Sequence, residues 1–167
     1  MEYTVVIIKP VAYLSGYSDE IKKIILEKDN HPEIDRDLHI AREKIVRLSE
    51  RQACRLTPEI SRENSSYKFV EYMMRSDVHV LLVCGRNAVF EMVRSAGYID
   101  PEKSGSNTIR GKFGANALHN AVYVSDSFET AKKDASIFFS KSLLEKILRA
   151  ARKGKPDIVL LKKCLVV

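Results

Sequence analysis

The residues best suited to chemistry gather in one stretch, Asn107 to Phe139, reading NTIRGKFGANALHNAVYVSDSFETAKKDASIFF. It opens on a basic loop with Arg110 and Lys112, passes through a short apolar–polar run from Asn120 to Ser125, and reaches Asp126-Ser127-Phe128-Glu129. That last tetrapeptide is a helix-start pattern. Asp126 is expected to cap the helix, and Glu129 to reach back to its open backbone donors. Another cation, Lys9, closes an apolar N-terminal run. An ammonium group at the end of a buried strand can reach a phosphate lying in a cleft.

These groups need a scaffold. Glu2 to Ile8 is β-branched and continuously apolar in its second half, so it reads as a buried central strand ended by Lys9-Pro10. Gly16 marks a turn, and Ser18 is expected to cap a helix over SDEIKKIILEK, with Ile21, Ile24, Ile25 and Lys28 on one face. Residues 29 to 37 are polar. Leu38 to Leu48 has a periodicity that suits a helix, with strand as the alternative. Ser65 to Arg75 places Phe69, Val70, Met73 and Met74 at helical spacing. Val78 to Cys84 is a second buried strand, and Asn87 to Ala96 a helix stopped by Gly97. Residues 98 to 119 form a long loop, a length usually tied to function. A strand near Ala121 to Ser125 and a helix from about Ser127 to Phe139 follow. The order gives two split βαβ halves. The expected class is therefore α/β (α+β), a ferredoxin-like sandwich with a four-stranded antiparallel sheet covered by helices.

Beyond Phe139, Leu143, Leu144, Ile147 and Leu148 make an apolar helix face, and Lys146, Arg149, Arg152 and Lys153 a basic one. After Gly154-Lys155-Pro156 the chain ends in an apolar, strand-like IVLLKKCLVV. Left exposed, that end would be adhesive. It is expected to dock on its own domain or on a partner. The domain division expected is 1–139 for the folded domain and 140–167 for a C-terminal extension.

Composition narrows the classes. With 167 residues, 45% hydrophobic and 30% charged, the chain suits one soluble domain with a full core. No apolar run is long enough to span a bilayer, and the N-terminus lacks a secretory pattern. Cys54, Cys84 and Cys164 are odd in number and widely spaced, fitting neither a disulfide framework nor a zinc site, so a reducing, cytoplasmic setting and no protein-held metal are expected. The formal net charge of +6 favours phosphate-bearing partners.

Several short motifs share one order with a known family. Ile8-Lys9-Pro10, Thr108-Ile109-Arg110-Gly111, Asn120 to Ser127 with its Ser125-Asp126-Ser127, and a helix ending in Phe138-Phe139 together resemble the signature of the nucleoside diphosphate kinases. The match covers roughly Tyr3 to Phe139. It implies the ferredoxin-like fold and an edge strand in Leu38 to Leu48, with helix resuming at Ser49. Because the family normally has a shorter turn there, residues 29 to 37 read as an insertion. It further implies transfer of a terminal phosphate between nucleotides through a phosphohistidine, with magnesium carried on the nucleotide. By the same resemblance Lys9 and Arg110 would contact phosphate and Asn120 the sugar.

The resemblance also exposes substitutions. Tyr123 occupies the phosphohistidine position. The base-stacking Phe falls at Ser65, a phosphate-binding Arg at Val93 beside Arg94, a loop Thr at Ile99, and the Arg preceding Asn at His119. Asp134 stands for a Glu that orients the imidazole, and Thr57 is one placement for a phosphate-binding Tyr. A phenol with a pKa of about 10 cannot form the labile phosphoramidate. The expected protein is therefore nucleoside diphosphate kinase-like, without phosphohistidine transfer and with no catalytic residue. It is expected to keep weak nucleoside di- or triphosphate binding through Lys9, Arg110 and Asn120, with Mg2+ only when nucleotide binds, and to serve a structural or partner-binding role with a possible homo-oligomer. The alternative is an active enzyme using His119, since Asn116-Ala117-Leu118-His119 repeats the shape of Asn120 to Tyr123. A third reading, a nucleic-acid binder, lacks the aromatic pairs such a sheet uses on VVIIKP and VHVLLVC.

Overall fold

A computed structural model describes residues 2–27, 38–57 and 65–152. The expectations for the 29–37 insertion and for the apolar end at 158–167 lie outside these residues. Four strands, β1 (Glu2–Ile8), β2 (His39–Val46), β3 (Val78–Gly85) and β4 (Val122–Val124), form an antiparallel sheet in the order β2-β3-β1-β4. The sheet is the expected ferredoxin-like one.

Both faces of the sheet are covered, which is why β1 and β3 read as unbroken apolar runs rather than alternating ones. Tyr3, Val5 and Ile7 of β1 with Val78, Val80 and Leu82 of β3 point to one side. There they meet α3 (Glu50–Arg55), α4 (Ser65–Met74), α7 (Phe128–Phe138) and α8 (Lys141–Arg152). Val6, Ile8, Leu81 and Val83 point to the other, against α1 (Pro10–Leu14), α2 (Ser18–Leu26), α5 (Ala88–Ala96) and α6 (Ile109–Phe113). Leu144 and Ile147 of α8 are buried in the first of these cores, so the apolar face foreseen in the C-terminal stretch is satisfied intramolecularly.

Two helix starts differ from the sequence reading. Ser18 is not a cap: the chain turns at Gly16 (φ +79°), Tyr17 takes the N-cap place, and the Ser18 hydroxyl is buried without a partner among the described residues. Asp126 does not cap α7 either. Ser127 adopts the extended backbone a cap needs and accepts from the Thr130 N–H at 3.1 Å, leaving Asp126 exposed. By contrast, Ser49 and Gln52 form a reciprocal capping box that starts α3 where the helix was expected to resume. Leu38 to Leu48 resolves as the edge strand β2, bulged between Ile40 and Arg42.

The long 98–119 loop is partly helical. Asp100 caps a short 3-10 turn at Pro101–Lys103, and Thr108 caps α6 by accepting from the Gly111 N–H at 3.1 Å. Gly97 permits the tight entry: at φ +81° an added Cβ would sit 2.0 Å from Ser104 Oγ and 2.5 Å from Thr108 Oγ1.

Candidate functional site

At the C-terminal end of β1 the chain leaves the sheet through Lys9, whose N–H donates to the Ala121 carbonyl at 2.8 Å. Ala121 lies at φ +68°, a left-handed conformation costly for a residue with a Cβ. This kink sits between Asn120, turned toward Lys9, and Tyr123 on β4. It brings together residues more than a hundred positions apart in the chain.

Lys9 is only 3% exposed. Its Nζ donates to Asn120 Oδ1 at 2.7 Å and to the Leu118 carbonyl at 2.9 Å, using two of three donors. It also lies 5.3 Å from the Phe69 ring centroid and 5.8 Å from that of Tyr72. Burial, with Arg110 adding like-charge repulsion, brings its pKa down to about 7. Asn120 in turn donates to the Ile99 carbonyl at 2.9 Å. Arg110, projecting from α6, donates to the Gly97 carbonyl at 2.8 Å and to the Val122 carbonyl at 3.3 and 3.4 Å. Burial lowers its pKa. The two cations thus face one region from different elements.

Tyr123 stands beside them. Its hydroxyl donates to Asp134 Oδ2 at 2.7 Å and lies 3.4 Å from the Leu56 carbonyl. The Ser125 hydroxyl donates to the same Asp134 oxygen at 2.8 Å. Asp134 is fully buried, and its Oδ1 has no partner among the described residues. Burial raises the Asp134 pKa, against the lowering effect of these two hydrogen bonds. Burial raises that of Tyr123 strongly, and the neighbouring Asp134 carboxylate adds to this. The phenol is thereby held neutral.

Lys9, Arg110, Asn120 and Tyr123 line one cavity of about 530 Å3, within the range of small-molecule sites. The remaining described lining is largely apolar. Leu56 and Phe69 line it together with Val93 and Ala96 of α5, Gly97 just past that helix, and the exposed Tyr98 and Ile99; Asp126 and Thr130 add polar groups.

Other residues singled out in the sequence fall elsewhere. His119 is half-buried, packs edge-on against Tyr72 at 4.6 Å between ring centroids, and is not among the described lining residues. Arg94 does not line the cavity either. It pairs with Glu91 one turn earlier on α5 at 3.0 Å. Thr57 bonds the Cys54 carbonyl, while its neighbour Leu56 lines the site. The side chain of Ser65 lies outside the described residues. Phe69, one turn later, supplies an aromatic face there, its ring centroid 6.3 Å from that of Tyr123. The sequence reading took Phe69 for core and gave Tyr98 no role. Its helical spacing hides Phe69, and no periodic signal marks a single aromatic in a loop.

Comparison with known proteins agrees with this architecture. The family model described as nucleoside diphosphate kinase matches residues 2–144. A nucleoside diphosphate kinase of Pyrococcus horikoshii is 33% identical over 154 residues, covering 90% of this chain and 92% of the relative. One from Pyrococcus abyssi is 36% identical over 142 residues, covering 83% and 84%. Among solved structures, the nucleoside diphosphate kinase of Encephalitozoon cuniculi superposes with a TM-score of 0.77 at 25% identity, covering 86% of this chain and 92% of that one. That of Aquifex aeolicus gives 0.73 at 26% identity, covering 84% and 96%. Sequence, fold and the order of the site motifs converge: the chain belongs to the nucleoside diphosphate kinase family.

Proposed function

We propose that this chain is a nucleoside diphosphate kinase-fold protein that does not relay phosphate through a phosphohistidine. It binds nucleotide or phosphate weakly through Lys9, Arg110 and Asn120, and serves a structural or partner-binding role. The observation that carries this reading is the Tyr123 hydroxyl, 2.7 Å from Asp134 in the cleft where the resemblance calls for imidazole. A relay needs a nucleophile that is basic, unprotonated and a good leaving group once phosphorylated. This phenol is none of these. Its proton is held by a buried carboxylate, and its pKa is pushed further from neutrality. A phosphotyrosine ester would also give up its phosphoryl group less readily than a phosphoramidate.

The cations support anion binding, because both line the cleft and charged donors bond strongly to phosphate oxygens. Among the described residues no group of three His, Cys, Asp or Glu side chains could hold a metal ion. Magnesium would therefore enter on the nucleotide as part of the ligand. A homo-oligomer, or contacts made by residues 140–167, would supply the partner-binding role. Free Cys54 and Cys84 suit a reducing, cytoplasmic setting, and no described helix is long and apolar enough to cross a membrane.

The test is turnover. With ATP, magnesium and a nucleoside diphosphate, no phosphoryl exchange above background is expected, while titration calorimetry detects weak ADP–magnesium binding that Lys9→Met removes. Exchange that disappears in His119→Ala would overturn the reading in favour of an active enzyme.

A further inference from the structure

We propose, resting on the reading of Lys9 and Arg110 as an anion-binding pair, that Lys9 is also a modification site: its side-chain amine is acylated by acyl phosphates, the mixed anhydrides of a carboxylic acid and phosphoric acid, that enter the cleft. The surroundings of the amine and the placing of Arg110 lead there independently.

The amine is held as a neutral nucleophile would be. Lys9 is 3% exposed, and among the described residues its polar partners are two neutral acceptors, Asn120 Oδ1 and the Leu118 carbonyl, with no carboxylate in an ion pair. Two acceptors match the two N–H groups of an uncharged amine, and the remaining tetrahedral position of the nitrogen then holds a lone pair. The titratable groups around it are Arg110 of α6, Tyr72 of α4 and Tyr123 of β4, with Asp126 on the cleft lining and His119 packed against Tyr72. Burial and the Arg110 charge bring the Lys9 pKa to about 7, so the free base is well populated at neutral pH, where an ordinary lysine near 10.4 is almost wholly protonated. Desolvation beside a second cation is a recognised way of making an amine nucleophilic.

The cleft supplies the other half of the reaction. Arg110 bonds the Val122 carbonyl, and Val122 is the cross-strand partner of Ile8, the residue before Lys9. A phosphate taken by this guanidinium brings its anhydride carbonyl into the cavity that Lys9 lines, and Phe69, Val93 and Ile99 offer apolar surface to the acyl group. The Lys9 lone pair forms the N–C bond, the C–O bond to phosphate breaks, and inorganic phosphate leaves with that electron pair while one amine proton passes to it or to water. The product amide is uncharged and keeps a single N–H. Acylation therefore removes one of the two cations and shuts the site to anions.

The experiment is acetylation of the full chain by acetyl phosphate, read residue by residue by peptide mass spectrometry, with the exposed Lys23 and Lys103 as internal references. At neutral pH Lys9 should react about tenfold or more faster than either reference, because its larger free-base fraction outweighs its lower basicity. The second-order rate reports the free protein, so for Lys9 it should level off above about pH 7. Inorganic phosphate should slow Lys9 and spare both references. Arg110→Gln should slow acetyl phosphate about tenfold more than it slows p-nitrophenyl acetate, a neutral reagent that registers any change in Lys9 basicity or in folding. The acetylated protein should lose phosphate binding in calorimetry. Reaction of Lys9 no faster than the references, or equal slowing of both reagents in Arg110→Gln, would overturn the proposal while calorimetric phosphate binding by the unmodified chain left the anion-binding reading intact. Fast labelling that phosphate does not slow would overturn both.

Discussion

Replacing Tyr123 with Phe removes one oxygen and tests the electrostatic arrangement around Asp134. The lost bond is 2.7 Å long and ends on a carboxylate that is fully buried. Among the described residues, Oδ2 then keeps only the Ser125 hydroxyl and Oδ1 already has no partner. Depriving a buried acceptor of such a bond costs about 1–3 kcal/mol, equivalent to a fall in melting temperature of about 2–4 °C per kcal/mol for a chain of this size. The penalty should depend on pH. Burial raises the folded-state pKa of Asp134 above its unfolded value, so its contribution to stability is greatest below the unfolded pKa, about 3.9, and is lost as pH rises through the folded pKa. The Tyr123 hydrogen bond opposes that shift. Phe at this position pushes the carboxyl pKa higher still, so Tyr123→Phe should destabilise more near pH 8 than near pH 4.5. Urea denaturation at the two pH values, with Asp134→Asn and the double variant completing a cycle, measures this directly. A cost within about 0.5 kcal/mol at pH 8, or an equal cost at both pH values, would refute the reasoning.

Other outcomes follow from the same geometry. Lys9, with a free-site pKa of about 7, should gain a proton when an anion binds. Affinity for inorganic phosphate should then fall as pH rises above about 7, by up to tenfold per unit; calorimetry in buffers of different ionisation enthalpy reads the proton uptake, and Lys9→Met should abolish it. Gly97→Ala should lower stability by about 1–3 kcal/mol in a chemical melt, since φ is +81° and the new methyl would collide with Ser104 and Thr108. Leu144→Ala or Ile147→Ala should each cost about 2–5 kcal/mol, because both are buried in the core beneath α8. Surface-like costs from both would mean that α8 adds nothing to that core.

What was legible in the sequence depended on how local its cause was. The apolar runs of β1 and β3 announce buried strands because that signal sits within a few residues, whereas the start of α3 at Ser49 was expected from the family resemblance alone. Ser18 and Asp126 misled for different reasons: the turn at Gly16 starts α2 one residue early with no side-chain cap, and Ser127 rather than Asp126 has the extended cap backbone at the start of α7. Helix α1 went unread although Pro10 stands at its first turn, a place proline favours. In the site, Lys9 and Arg110 were named as candidates from the sequence, but their meeting with Asn120 and Tyr123 depends on the antiparallel pairing of β1 with β4 and on the kink at Ala121. Arg94 shows the limit most plainly. Beside the vacant position on α5 it had the right charge, yet a carboxylate one turn away pairs with it instead.

Brief incubation with γ-labelled ATP and magnesium, followed by partition of any bound label by acid and base stability, asks whether this cleft can accept a phosphoryl group at all. With Tyr123 held neutral by Asp134, the protein should carry no acid-labile, base-stable phosphate. Stoichiometric label of that kind, retained in Tyr123→Phe and lost in His119→Ala, would show that an imidazole does the chemistry after all.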